Sequence, residues 1–488
     1  MTIGSPRTSA PPDRSRAPET GPVPSVRLPA RTDFELDNGL RVILVRRARL
    51  PIVDIRIQLE GGATLQGPDR PGLAAYAADM LDEGTASRSA LELADEVDRL
   101  GAILSTTASH DASTVRLTVL RPRLEPALEL MADVVLNPAF AEADLERVRS
   151  ERRTRVLQQL DQPGVQAGNA LDAVLFGTAH PYGQPLLGTL ESLEALRRED
   201  VLSLYAAQYR PSRATVIAVG DVTEEDLRPM LEARFGHWRE GPLDDAPQPR
   251  PGPVEPGRAA STARAAAPAL ATAAVRGRTL YIVDRPGAAQ SEIRVGRVAV
   301  DRRTDHYFAL TVLNTVLGGS FTSRLNLVLR EEKGYTYGAG SRFAMRKLPG
   351  PFVASSAVHT PVTDSAVVEF VREIERLADE PVPAEELERA KNYVALRLAE
   401  QFETTSDVAD RMAEVVLHDL PDDFFNGYTA AVLAVTASDV QQAARAHLDA
   451  REMAIVIVGD RAAIEEPLRR LELGDVFVLE SPSTTPER

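Results

Sequence analysis

The chain has 488 residues, 43% hydrophobic and 26% charged, with a formal net charge of -15. That length calls for two to four domains of about 100 to 200 residues each, and the acidity sets the protein against phosphate backbones and anionic lipid. The absence of cysteine excludes disulfides, thiolate metal sites and thiol nucleophiles.

Residues 1–32 are rich in Pro, Ser and Arg without hydrophobic period and read as a disordered tail. Their prolines forbid the amphipathic helix of a transit peptide. The chain has neither a secretory apolar region nor a run of about 18 apolar residues, so it is expected to be cytoplasmic with no membrane span. From Phe34, FELDNGLRVILV reads as a hairpin turning at Asp37-Asn38-Gly39, and IVDIRIQLEGG as a further strand. PGLAAYAADMLDEGT, residues 71–85, reads as one alanine-rich helix stopped by glycine. RSALELADEVDRLG spaces Leu91, Leu93, Val97 and Leu100 for another helix, and STTASHDASTVRLTVL alternates like paired strands. Two long helices, RLEPALELMADVVL and EADLERVRSERRTRVLQQLDQ, lead to the buried strand ATVIAVGDV.

Residues 244–277 are Pro-rich and then Ala-rich without amphipathic period, as in a linker. Beyond them the earlier order returns. Ile55-Arg56 matches Ile293-Arg294, Leu145-Glu146-Arg147 matches Leu387-Glu388-Arg389, and Val219-Gly220-Asp221 matches Val458-Gly459-Asp460, at offsets of 238, 242 and 239 residues. Three ordered matches at nearly constant offset argue for a duplicated α+β unit. The expected domains are 33–243 and 278–475, with a short tail at 476–488.

LDNGLRVILV, EGGA, PGLAxxxxxMLxEGT with RSALELADEVDRLGA, HPYGQPLLGT, YRPSRATVIAVGDV and LREEKGYTYGAGSRF occur in this order. In carrying them the chain resembles the pitrilysin/insulinase family of zinc metallopeptidases, in the two-domain branch of the mitochondrial processing peptidases. The resemblance implies two homologous tandem domains, each a mixed β-sheet covered by helices. In active members the first helix carries HxxEH, whose histidines hold zinc and whose glutamate activates the bound water. A third ligand, a glutamate, comes from a later helix. Laid on that pattern, Ala75, Ala78 and Asp79 stand at the His, Glu and His positions, and Gln159 falls near the third. None suits the role, so no metal or cofactor is expected on this chain. Asp79 alone reads as a solvated helix residue, and His180 of HPYG as part of a structural turn. The seven histidines show no metal-ligand spacing, and GxSxG and P-loop patterns are absent; Gly318-Gly319-Ser320 lacks the Walker lysine and reads as a turn or mobile loop.

In SFTSRLNLVLREEKGYTYGAG, Phe321, Leu325 and Val328 mark one helix face and Gly334 stands at a C-cap, placing Arg330 in the last turns and Tyr337 before the next strand. Active relatives carry an Arg and a Tyr at this separation, facing the zinc across the chamber. The resemblance therefore implies that Arg330 and Tyr337 bind substrate backbone, since both can donate to a peptide carbonyl. The bland alternative places Arg330 on a solvated helix end and packs Tyr337 in the sheet. One set of residues without the other implies the zinc-less subunit of a heterodimer, whose HxxEH-bearing partner holds the zinc and shares a peptide substrate. An inert scaffold of a larger complex, or a peptide-binding chamber without proteolysis, is the alternative.

Overall fold

The computed structural model describes Val23 and residues 29–240 and 277–480. Most of the expected tail at 1–32, nearly all of the linker at 244–277 and the last eight residues lie outside them. The hairpin forms from β1 (Arg31–Glu35) and β2 (Arg41–Arg46), with Phe34 opposite Val42. Next come β3 (Ile52–Glu60), α1 (Leu73–Asp79), α2 (Ala90–Leu100), β4 (Ile103–Ala108) and β5 (Ala112–Leu120). Helices α3 (Leu124–Leu136), α4 (Glu142–Leu160), α5 (Pro163–Phe176), α6 (Leu190–Ala195) and α7 (Arg198–Gln208) precede β6 (Ala214–Gly220) and α8 (Glu224–Phe235).

The second half opens with β7 (Thr279–Asp284), β8 (Gln290–Val298) and α9 (Tyr307–Leu317). A short α10 (Arg324–Asn326) runs into a π-helical turn over Leu327–Glu332, followed by β9 (Ala339–Phe343) and β10 (Pro351–His359). Five helices follow: α11 (Thr363–Asp379), α12 (Ala384–Arg397), α13 (Thr405–Leu417), α14 (Tyr428–Ala434) and α15 (Ala437–His447). β11 (Ala454–Gly459), α16 (Arg461–Arg470) and β12 (Asp475–Leu479) finish the described chain.

Each half has one six-stranded mixed sheet, in the orders β1-β2-β6-β3-β5-β4 and β12-β7-β11-β8-β10-β9. Five strands correspond one to one, from β2 and β7 across to the edge strands β4 and β9, and the anchors agree in register: Ile55 lies opposite Ala218 as Ile293 lies opposite Ile457. The outermost strands differ in origin. β1 pairs antiparallel as a hairpin, whereas β12 returns from the chain's end and pairs parallel to β7. That strand carries the second domain past the expected boundary at 475, because Val476 is buried on the sheet while its neighbours face out.

Each sheet buries one face under its own helices, forming two cores. The other face of each is covered by a helix from the opposite half. Leu171 and Leu175 of α5 pack with Val353 and Val456 of the second sheet, and Val408 and Met412 of α13 pack with Ile217 and Val219 of the first. The two halves thus exchange helices and are expected to unfold as one body. Leu171 is 1% exposed, so Leu171→Ala should cost about 2 to 4 kcal/mol. Because α5 belongs to one domain and its contacts to the other, denaturation followed separately in each half should shift together.

Polar seams join the halves beside these helices. Asp54, fully buried, accepts from Arg56 Nε at 2.8 Å, Arg116 Nε at 3.0 Å and Thr118 Oγ1 at 2.9 Å, and Arg56 also reaches Asp410 on α13. At the second seam, Tyr182 OH donates to Asp111 at 2.6 Å, while the Lys347 and Leu348 amides donate to Asp111 and Tyr182. Nearby, burial pushes the Asp172 carboxyl up to about 6 despite Arg346 and Arg342. A carboxyl raised above its unfolded value near 3.9 costs the fold nothing below about pH 4 and its full penalty above about pH 6. Asp172→Asn should therefore stabilise the protein at pH 7.5 by up to about 3 kcal/mol and leave it nearly unchanged at pH 4. Thermal melts at both pH values check the difference.

Candidate functional site

Two close-packed glycines fix the approach to the first site. Gly72, at φ 87°, enters α1 against Gly188 at φ 82°, and a Cβ on Gly72 would meet the Gly188 Cα at 2.7 Å. Thus PGLA and PLLGT pack back to back, and Ser192 Oγ donates to the Pro71 carbonyl at 2.9 Å. Helix α1 is shorter than the expected run to Gly84. Its Ala78 carbonyl accepts from Thr106 Oγ1 on β4 at 2.8 Å and from the Leu81 amide at 3.1 Å, which closes the helix with a tight turn.

On this helix Ala78 is buried, Ala75 and Asp79 are half-buried, and Asp79 does not stand alone. Arg152 Nη1 lies 2.7 Å from Asp79 Oδ2 and Arg155 Nη2 lies 3.0 Å from the same oxygen. Arg152 is enclosed: its side chain is 1% exposed, and Nη2 also faces the Leu186 and Leu187 carbonyls. Its guanidinium and that of Arg149 lie 5.8 and 6.0 Å from the Tyr76 ring. Burial pushes the Tyr76 phenol up to about 12, and its hydroxyl donates to the Leu145 carbonyl at 2.5 Å. Burial likewise holds the Asp82 carboxyl up near 6. The α4 residues that meet Asp79 are therefore Arg152 and Arg155, with Gln159 one turn beyond Arg155.

A His/His/Glu zinc set needs three donors converging on an open position. Ala75 and Ala78 offer no donor atom, and Asp79 is spent on two guanidinium groups, so these residues do not fit zinc. Among the described residues no group of three or more His, Asp or Glu side chains is placed to hold a metal. His306 and His447 meet, Nδ1 to Nε2, at 2.7 Å, a pairing that sequence spacing did not show. His180 takes its structural place, Nδ1 accepting from the Tyr182 amide at 3.0 Å.

The second site is a built surface of the other half. Helix α9 ends at Gly318, where any Cβ would meet the Ser341 amide at 2.3 Å, and the Gly318 carbonyl accepts from that amide at 3.1 Å. Asn326, 4% exposed, donates through Nδ2 to the Phe321 carbonyl at 2.6 Å and accepts from the Ala339 amide at 3.2 Å. Ser356 Oγ on β10 donates to the Gly338 carbonyl at 2.9 Å and bonds Thr336 Oγ1 at 2.9 Å. The backbone on either side of Tyr337 is thus pinned while its side chain is 88% exposed, so it does not pack in the sheet.

Arg330 lies on the π-helical turn, where the Lys333 amide reaches back five residues to the Val328 carbonyl at 3.0 Å. Such turns widen the helix and re-aim its side chains. The Arg330 guanidinium stacks on the Phe321 ring at 4.6 Å and makes only a loose 3.5 Å pair with Glu331. Phe321, expected on the buried helix face, is instead 65% exposed beneath it. No described hydrogen bond or ion pair joins Arg330 to Tyr337, or either of them to the Asp79 group. Arg152, Arg155 and Asn326 were missed by sequence reasoning; for the two arginines, the arginine density of RVRSERRTR was the available signal.

The family profile described as insulinase (peptidase family M16) matches residues 41–189, and that described as peptidase M16 inactive domain matches 195–394. An uncharacterized zinc protease of Mycobacterium leprae is 28% identical over 62% of this chain and 63% of its own length, so the match spans under two thirds of that relative. The beta subunit of the mouse mitochondrial-processing peptidase is 25% identical over 46% of this chain and 45% of that one. A crystal structure of a peptidase M16 inactive domain from Pseudomonas fluorescens superposes with a TM-score of 0.76 at 24% identity, covering 88% of this chain and 98% of that one. With both halves matched in order on the duplicated fold, the chain belongs to the M16 insulinase family.

Proposed function

We propose that this chain is the non-catalytic, zinc-less subunit of a heterodimeric M16 zinc endopeptidase. It closes the chamber and offers Arg330 and Tyr337 to the backbone of a peptide held near the zinc of an HxxEH-bearing partner. The observation that carries the reading is the contrast between the halves. The first half has filled its metal position with an arginine-bound carboxylate, while the second holds a phenol in solvent on a backbone fixed by Thr336, Asn326 and Ser356. A tyrosine kept exposed at that cost in ordering is suited to a ligand.

The chemistry follows from the side chains. A permanently charged guanidinium and a neutral phenol both donate to a carbonyl oxygen as it gains negative charge, and neither requires a proton to move first. Extended peptide would add to an open sheet edge such as β4 or β9. The mouse beta subunit supports a multi-chain arrangement by its name alone. Among the described residues no helix is long and apolar enough to cross a membrane.

The test is affinity purification of the tagged chain from its own cells, with mass spectrometry of what accompanies it. Recovery of an HxxEH-bearing homologue in near-equal amount is expected. Recovery of the chain alone, cleaving peptide and losing that activity to a chelator, would overturn the proposal.

A further inference from the structure

We propose that Phe321 is a positioning residue for Arg330: its ring carries the guanidinium by a cation–π contact and keeps the N–H donors available to a bound peptide. The inference rests on the reading of Arg330 above and adds the residue through which that arginine is aimed.

Phe321 stands on the turn between Gly318 and the N-cap Ser323, ahead of α10, and is 65% exposed. So exposed a ring gains little from burial. Among the described residues it meets no other aromatic ring; what lies over it is the Arg330 guanidinium, 4.6 Å from the ring centroid.

The turn that holds this ring is fixed on both sides. The Gly319 amide donates to the Asn314 carbonyl at 2.6 Å, the Ser323 amide to the Ser320 carbonyl at 3.2 Å, and the buried Asn326 side chain to the Phe321 carbonyl at 2.6 Å. Arg324 then ties the next turn to α12, its Nε and Nη2 forking onto Glu386 at 2.9 and 2.8 Å. The Asn326 side chain also accepts from the Ala339 amide at 3.2 Å, just past Tyr337. One buried amide therefore sets the spacing between the support of Arg330 and the backbone that carries Tyr337.

Arg330 needs such a support. Long side chains on a helix lean toward its N-terminus, and Arg330 reaches back from the π-helical turn to the residue ahead of α10. Its guanidinium makes no hydrogen bond to a described residue, and only Nε approaches a carboxylate, Glu331, at 3.5 Å. A close carboxylate partner would order the side chain, but it would also occupy the donors and cancel the charge that a developing oxyanion requires. A ring face orders the cation while leaving its N–H edge free.

Steady-state kinetics on the heterodimer, beside thermal melts of the isolated variants, test this. Phe321→Ala should lower kcat by about fivefold at unchanged KM, because the aimed donors act where charge develops, and should leave the melting temperature in place. Phe321→Tyr should keep full activity, and Phe321→Leu should be as poor as alanine, since bulk without a π face does not hold the cation. In the Arg330→Ala background, Phe321→Ala should cost nothing further. Full activity in Phe321→Ala or Phe321→Leu, or the same loss with and without Arg330, overturns the positioning role and leaves the reading of Arg330 standing. Full activity in Arg330→Ala, or a mixture no more active than the HxxEH-bearing homologue alone, overturns that reading and this inference with it.

Discussion

In the proposed heterodimer, replacing Arg330 with alanine should lower kcat/KM by roughly a hundredfold or more, the range lost when one preorganised donor to a developing oxyanion is removed. Tyr337→Phe, which deletes one hydroxyl and keeps the ring, lowers it by about tenfold or more by the same reasoning. Neither change should move the melting temperature appreciably. Tyr337 is 88% exposed, and Arg330 gives up only a loose ion pair and a stack on Phe321. Loss of activity without loss of stability separates a substrate-binding role from a packing role. Steady-state kinetics on the complex, beside thermal melts of the isolated variants, make the comparison; full activity in both variants returns the pair to a surface role.

The largest effect on stability is expected at Asp79. Asp79→Ala leaves Arg152, 1% exposed, without its counter-charge, and breaking such a pair from one side should cost roughly 2 to 4 kcal/mol. Arg155→Gln, at a half-exposed group, should cost less than about 0.5 kcal/mol. Removing both charged partners in Asp79→Ala/Arg152→Met should recover much of the loss, since the apolar pair leaves nothing buried and unpaired. A double-mutant cycle by denaturant unfolding measures that recovery. Additive losses in the double variant would mean that Arg152 serves the fold through the Leu186 and Leu187 carbonyls rather than through Asp79.

The duplicated architecture was legible in the sequence because it depends on periodicity and on anchors such as Val219-Gly220 and Val458-Gly459, which sit at the ends of the equivalent strands β6 and β11. Periodicity says that a face is apolar and does not say which sheet covers it. The crossing of α5 and α13 to the opposite halves was therefore invisible, although Leu171 and Met412 were plainly core residues by type. The parallel return of β12 escaped for a related reason: a five-residue edge strand with one buried side chain has almost no pattern to read.

At the site, the frame around Ala75, Ala78 and Asp79 could be read by position, whereas what replaces the metal could not. Arg152 lies in the charged middle of a helix, among residues that look solvated by type, yet it is fully enclosed because the 186–187 turn and Tyr76 close over it. Gln159 was placed by counting along the chain, and a turn of helical phase separates it from the residues that meet Asp79. Phe321 deviates because the helix begins only at Arg324, after the N-cap Ser323, so Phe321 stands on the turn before it and outside the helical spacing.

The central claim is that chemistry, where it occurs, occurs on another chain. The most direct measurement is metal content and peptide cleavage of the purified chain alone and again after mixing with the HxxEH-bearing homologue. The account predicts no stoichiometric zinc and no cleavage alone, and chelator-sensitive cleavage in the mixture that exceeds the homologue's own and falls in Arg330→Ala. Stoichiometric zinc with cleavage by the isolated chain, or a mixture no more active than the homologue by itself, would contradict it.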